Sequence, residues 1–360
     1  MLEAVISQIK PLDSEAMDVC QLRIDNLTKP LGSLSGLEYL ARKIAGVTRQ
    51  AKPNNLSKSI ILMAADHGVA QENVSAYSTS TACMLESVCR KEAAINALAA
   101  HVNASLVLVD IGMTETLTSF PELLVHKALH GSANLAEGPA MTRRHAWHAM
   151  ETGAEIVKKE IDKGVKIIGL GDIAVAGTTA ATAVIACCSG QSVAALTGRS
   201  AGISDSVWQK KVSVIEQALA NNCPDSADPL DILAKVGGLD IAGLVGAILA
   251  SAAGGAVVVI DGVTTAAAAL LAVQFVPIVK DYLVASHFTA EPAHKAVLER
   301  LDIPAHLHLD FRLGQGTGAA LGMTLLDASL CMLNQMKTFG EAAVAVAQDG
   351  PGAGRQQQNI

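Results

Sequence analysis

The sequence predicts an α/β fold: a doubly wound, mostly parallel sheet of about six strands (Rossmann-like), carrying a small helical domain built from both chain ends. Three observations carry this reading. Short aliphatic runs recur, each ending in an acid, a glycine or a histidine and each followed by a helical stretch. The runs are continuous rather than alternating, which marks strands buried on both faces. Half the residues are apolar but only 3% are aromatic, so alanine, glycine and aliphatic side chains fill the interior. Small fillers let helices approach a parallel sheet closely.

The predicted strands are SIILMAAD (59–66), SLVLVDIG (105–112), VKIIGLGD (165–172), SVAALTG (192–198), AVVVIDG (256–262) and YLVASH (282–287). Segments such as STACMLESVCRKEAAINALAAH suit crossover helices. Residues 1–50 and 325–348 read as helical without strands and are expected to form the small domain. Residues 51–324 form the large one, and 349–360 are a Gly- and Gln-rich tail expected to fray. In such sheets ligands bind beyond the carboxyl ends of the strands. There the chain places Asp66-His67-Gly68, Gly171-Asp172, Asp261-Gly262 and Ser286-His287.

Several function classes recede. The net charge is −7 and no Lys/Arg-rich stripe occurs, so nucleic acid and anionic membranes are not expected partners. The run IAGLVGAILASAAGGAVVVI (241–260) is long enough to span a bilayer. Asp240 and Asp261 flank it, however, and Gly254-Gly255 divides it, so it reads as a buried helix, a turn and a buried strand. Seven cysteines without a CxxC pair suggest free thiols in a reducing compartment, and the cytoplasm is the expected location. The start, MLEAVISQIKPLDSEAM, reads as an amphipathic helix rather than a signal peptide.

Three segments carry possible chemistry. GLGDIAVAGTTAATAV (169–184) leaves a strand and opens a helix, and its glycines, Thr178 and Thr179 suit a phosphate. It only partly mimics a dinucleotide fingerprint: no acid follows about 20 residues on, and it lies on the third strand. A nicotinamide dinucleotide cofactor is therefore not expected, and no other cofactor is. GRSAGISDSVWQKK (198–211) offers Lys210 and Lys211 as point charges for phosphate, or as surface lysines. HLHLDFR (306–312) would place His306 and His308 on one strand face, yet no third ligand neighbours them, so no metal is expected.

Taken together, several stretches resemble the nicotinate-nucleotide:dimethylbenzimidazole phosphoribosyltransferases. They are LTKPLGSLSGLEYLARKIAG (27–46), AADHGVAQENVSAY (64–77), AAINALA (93–99), NLAEGPAMTR (134–143), the GTTAA turn, KVGGLDIAGLVG (235–246), the VVVIDG strand, SHFTAE (286–291) and RLGQGTGAALGM (312–323). The resemblance implies transfer of 5-phosphoribose from nicotinate mononucleotide to an aromatic base that becomes the lower ligand of a cobamide, and a dimer. It implies phosphate and ribose contacts at Gly171, Thr178, Thr179, Gly198, Gly202, Lys211, Ser286 and Gly316. The aromatic base would lie near Ser75, Tyr77, Leu313 and Gln315.

The sequence departs from the family where a proton should be removed. The catalytic glutamate of the family falls on Gln315, an amide that cannot take a proton at neutral pH, and a second family glutamate is Asp172. Nearby departures are Gly177 for an asparagine, Lys91-Glu92 for paired glycines, and STSTA after SAY. Two readings follow. The chain is either a non-catalytic or weakly catalytic subunit paired with an active homologue, as in the two-subunit variants that attach phenol or p-cresol. Or it is an active transferase with an unusual acceptor, using Asp172 or a water it orients as base. The partner is accordingly a homologous subunit or a second copy of the chain.

Overall fold

A computed structural model describes residues 1–77 and 80–357. Two expectations thus fall partly outside the described residues: Ser78 and Thr79 of the STSTA stretch, and the last three positions of the tail.

The chain opens with helices α1 (Leu2–Ile6), α2 (Ser14–Asn26) and α3 (Gly36–Thr48). Strand β1 (Ser57–Ala65) is followed by α4 (Thr81–Cys89), α5 (Ala94–His101), β2 (Ala104–Gly112), β3 (Leu124–Val125) and α6 (Arg143–Asp162). Then come β4 (Val165–Ile173), α7 (Gly177–Ser189), α8 (Val193–Leu196), α9 (Asp205–Asn222), α10 (Pro229–Val236) and α11 (Leu239–Ala253). The last third holds β5 (Val257–Ile260), α12 (Val263–Phe275), β6 (Leu283–Ala285), β7 (Phe288–Thr289), α13 (Pro292–Leu301), β8 (His308–Phe311), α14 (Thr317–Gln335) and α15 (Phe339–Ala342).

Six strands form one parallel sheet in the order β3-β2-β1-β4-β5-β6. The order reverses between β1 and β4, and such a switch point leaves a crevice at the strands' carboxyl ends. Register sets what lines it, since Met63 of β1 faces Asp172 of β4. The core strands are mainly aliphatic, and Ile60 to Ala65 are all fully buried.

Five of the six predicted strands are present. SVAALTG is the exception: it forms helix α8, with the Ser192 hydroxyl accepting the Ala195 N–H. A serine cap followed by Val-Ala-Ala-Leu, with Val193 the one β-branched residue inside the helix, favours a helical turn. The sixth strand is instead the short edge β3, too brief to leave a periodic signal. HLHLDFR also differs from expectation. Its strand begins at His308 and pairs with β7 in a separate two-stranded sheet, while His306 lies outside it and packs edge-on to Tyr39 at 6.2 Å.

The uncharged run resolves into α11 and β5, both buried between other elements. Among the described residues no helix is long and apolar enough to cross a membrane. The chain ends meet as well. Cys20, Ile24 and Leu27 of the α2 region, Ala41 and Ala45 of α3, and Met332 and Leu333 of α14 share a second small core. The described part of the tail contacts the α2 region. Gln356 is buried and donates to the Lys29 carbonyl at 3.0 Å, and the Gln357 N–H reaches Asn26.

The tightest helix pair is α6 against α11, and its contact is backbone on backbone. A Cβ at Gly153 would collide with the Gly243 carbonyl, and one at Gly246 with the Met150 carbonyl. Overfilling such a contact costs about 1–3 kcal/mol. Gly246→Val is therefore expected to lower unfolding stability by at least that amount in urea titration, whereas Ala227→Val, in an exposed turn outside this contact, is not.

Candidate active site

Strand β4 delivers Asp172 to the crevice and α7 begins five residues later. The connection turns through Ala176, whose φ is +61°. Thr178 and Thr179 occupy the first turn of α7, where N–H groups are unpaired within the helix. Beside them lies Lys211 of α9, which proves to be completely buried rather than a surface lysine. Its ammonium donates to Thr178 Oγ1 at 2.7 Å and to Ser200 Oγ at 2.9 Å. Among the described residues no carboxylate forms a direct ion pair with it. Burial pushes the Lys211 pKa down to about 8, against the charge of Glu291, which raises it. A buried cation surrounded by hydroxyls and lacking a direct ion pair is able to pair with an anion.

The second wall comes from the turn before α14. Gly314, Gln315 and Gly316 have φ of +73°, +57° and +75°. Glycine adopts this region freely; for glutamine it costs roughly 1–2 kcal/mol. The conformation is held from outside: Asp261, at the end of β5, accepts the N–H groups of Gly316, Gly318 and Ala319 at 2.9, 2.7 and 3.2 Å. Gly171 supports the same turn, because a side chain there would strike the backbone of Gly316.

Between the walls lies a cavity of about 620 Å³. Six of the residues proposed from the sequence line it: Ser75, Tyr77, Asp172, Thr178, Leu313 and Gln315. Tyr77 and Leu313 are more than half exposed, and the Tyr77 N–H donates to Ser75 Oγ. Lys211 and Thr179 stand directly behind the lining. Gly198 packs against the carboxylate of Glu291, and Gly202 (φ +107°) shapes the same loop without touching the cavity. Gly316 differs from the expected phosphate contact, since its N–H is already taken by Asp261. Ser286 also lies off the cavity wall; it is buried and bonded to His287 Nδ1 at 2.7 Å.

Sequence reasoning gave no role to Ser200, Thr289, Glu291 or Phe311, which line the cavity as well. The signal for Ser200 and Glu291 was present in GRSAG and SHFTAE. What was missing was the fold that brings them together.

Charge is concentrated at the Asp172 end. Burial raises the Asp172 pKa to about 7, and the carboxylates of Asp240 and Asp261 add to the effect. Asp240 is itself bonded to buried His67 at 3.1 Å. Burial opposes a charge on that histidine, but Asp240 outweighs it and its pKa lies above the ordinary value. Asp261 is raised to about 6 by burial, against its three N–H bonds. His287 is pushed down to about 4 by burial and stays neutral at physiological pH. Among the described residues no group of His, Cys, Asp and Glu could hold a metal.

Comparison with known proteins shows the family. A phosphoribosyltransferase family model matches residues 9–344. The chain is 45% identical over 346 residues to the nicotinate-nucleotide–dimethylbenzimidazole phosphoribosyltransferase of Chloroflexus aggregans, spanning 96% of this chain and 98% of that protein. A protein of the same name from Geobacter metallireducens is 44% identical over 350 residues, or 97% and 99%. The crystal structure of CobT from Thermus thermophilus superimposes with a TM-score of 0.88 at 37% identity, over 92% of this chain and 99% of that one. The chain therefore belongs to the CobT-like nicotinate-nucleotide:dimethylbenzimidazole phosphoribosyltransferase family.

The Asp172 shift makes a stability prediction. The folded state prefers the protonated acid, so the ionised form costs stability at pH above the folded value of about 7. That cost fades as pH falls toward the ordinary aspartate range. Asp172→Asn is thus expected to raise the melting midpoint at about pH 8 and to change it little near pH 4, measured by calorimetry across that range.

Proposed function

We propose that this chain transfers 5-phosphoribose from nicotinate mononucleotide to an aromatic acceptor, with Asp172 as the proton acceptor. The observation that carries the reading is the Asp172 carboxylate: it lines the cavity beside the Gln315 turn, and its pKa of about 7 suits a base at neutral pH. The phosphate would sit on Thr178 and Ser200, over the Lys211 ammonium. The C1′–N bond breaks and its electron pair stays on nicotinate, leaving oxocarbenium-like charge on the ribose. The acceptor's ring nitrogen or hydroxyl oxygen bonds to C1′ and its proton passes to Asp172. Gln315 cannot take that proton, but its amide can donate to or accept from the acceptor's polar edge. Phenolic and benzimidazole-type lower ligands of cobamides both fit this chemistry.

A second reading rests on Gln315 alone. With an amide where relatives carry the catalytic glutamate, the chain would be the quiet member of a heterodimer with a homologous, active subunit.

Nicotinate release by the isolated chain, with a panel of benzimidazoles, phenols and adenine, separates the two. Turnover is expected, weakening below about pH 7 as Asp172 protonates. Asp172→Asn should lower kcat by about 10²–10⁴, and Gln315→Glu should shift the acceptor preference toward ring nitrogens. Activity that arises only after mixing with the homologous chain would favour the heterodimer. Turnover indifferent to Asp172→Asn would remove that residue as the base.

A further inference from the structure

The anion cradle contains a carboxylate that the transfer chemistry does not use. Glu291 lies just ahead of α13, lines the cavity and is only 7% exposed. Its Oε1 accepts the Ser200 N–H at 2.7 Å. Ser200 in turn receives the Lys211 ammonium on its hydroxyl, so the three residues form a line in which the serine stands between the two charges. Ser200 has a φ of +47°, a conformation a serine holds only under constraint. The other oxygen of Glu291 is buried without a hydrogen-bond partner among the described residues. Gly198 leaves room for it, as any side chain there would meet the carboxylate.

We propose that Glu291 is a positioning residue of the phosphate cradle: through the Ser200 N–H it fixes the 198–202 loop, and its negative charge keeps the buried Lys211 ammonium ionised until a phosphate group takes over. The proposal rests on the reading that the cradle holds a phosphate. A residue retained only to tie down Ser200 would not need a charge, and a neutral glutamine would serve. One carboxylate oxygen is buried and unbonded, which costs stability, so the hydrogen bond to Ser200 does not account for the whole group. The groups around Lys211 agree. Helix α7 presents the hydroxyl of Thr178, the loop presents Ser200, and Glu291 is the charge acting on the amine. Separation through the serine is what makes the arrangement work. A direct ion pair would neutralise the ammonium, whereas charge one residue removed leaves it without a carboxylate partner behind the hydroxyls of Thr178 and Ser200.

Calorimetric titration of inorganic phosphate into the full chain between about pH 6.5 and 9.5 tests this, using wild type, Glu291→Gln and Glu291→Asp. Wild-type affinity should fall above about pH 8 as Lys211 loses its proton. In Glu291→Gln the fall should begin about one pH unit lower, while affinity near pH 6.5 is equal or higher because a negative charge is gone. Glu291→Asp should keep the wild-type limb but bind about tenfold more weakly, as the Ser200 N–H loses its acceptor. An unmoved limb in Glu291→Gln would overturn the proposal. If that variant does not fold, unchanged phosphate affinity in Glu291→Asp would overturn it instead. Repeating the titration with nicotinate mononucleotide keeps the two readings apart. Phosphate binding without nucleotide binding sinks the proposed substrate and leaves the role of Glu291 standing, whereas no phosphate binding by wild type at any pH sinks both.

Discussion

Three backbone N–H groups at the start of α14 close on one buried carboxylate, that of Asp261, and the site depends on this contact. A helix start is a natural anion site. Here the anion is supplied by the protein itself, from the end of β5. The consequence is geometric. The turn carrying Gln315 is bolted to the central sheet at the end of β5, beside the end of β4 that carries Asp172. Without that bond, three successive left-handed residues would have no reason to persist. The bound carboxylate already occupies this helix start, whereas the opening of α7 faces the cavity with the Thr178 hydroxyl.

The cavity is consequently polarised. At one end Asp172, Asp240 and Asp261 crowd together, relieved in part by His67. At the other, Lys211 presents a positive charge through a lattice of hydroxyls. Neither end would be stable as a set of fully ionised groups in a dry interior. Raised acids and a lowered amine are how the fold accommodates them, and such perturbed groups in a cleft are what proton-transfer chemistry employs.

Much of this was legible beforehand. The strands announced themselves by unbroken aliphatic runs, and the GTTAA segment by glycines and hydroxyls between a strand and a helix. SVAALTG misled because a run of small apolar residues has no period of its own, and its serine cap decided the matter locally. The residue pattern alone left Lys211 as a phosphate charge or a surface lysine, and only the family resemblance singled it out from Lys210. Only the third dimension shows that α9 turns Lys211 inward beneath α7, while Lys210 stays outside. Glu291 and Ser200 are separated by 91 positions, and no local pattern joins them. Nor does the composition of the Gly-rich tail reveal that Gln356 donates to the Lys29 carbonyl.

The flanking glycines at 314 and 316 have one more implication. They carry the unusual backbone on either side, so the residue between them needs only to tolerate a left-handed bend. Glutamine and glutamate are nearly isosteric, and their codons can differ by a single base. The pocket can therefore exchange a hydrogen-bonding group for an ionisable one without remodelling any chain around it. The backbone that presents the side chain at 315 is thus set independently of the charge that side chain carries.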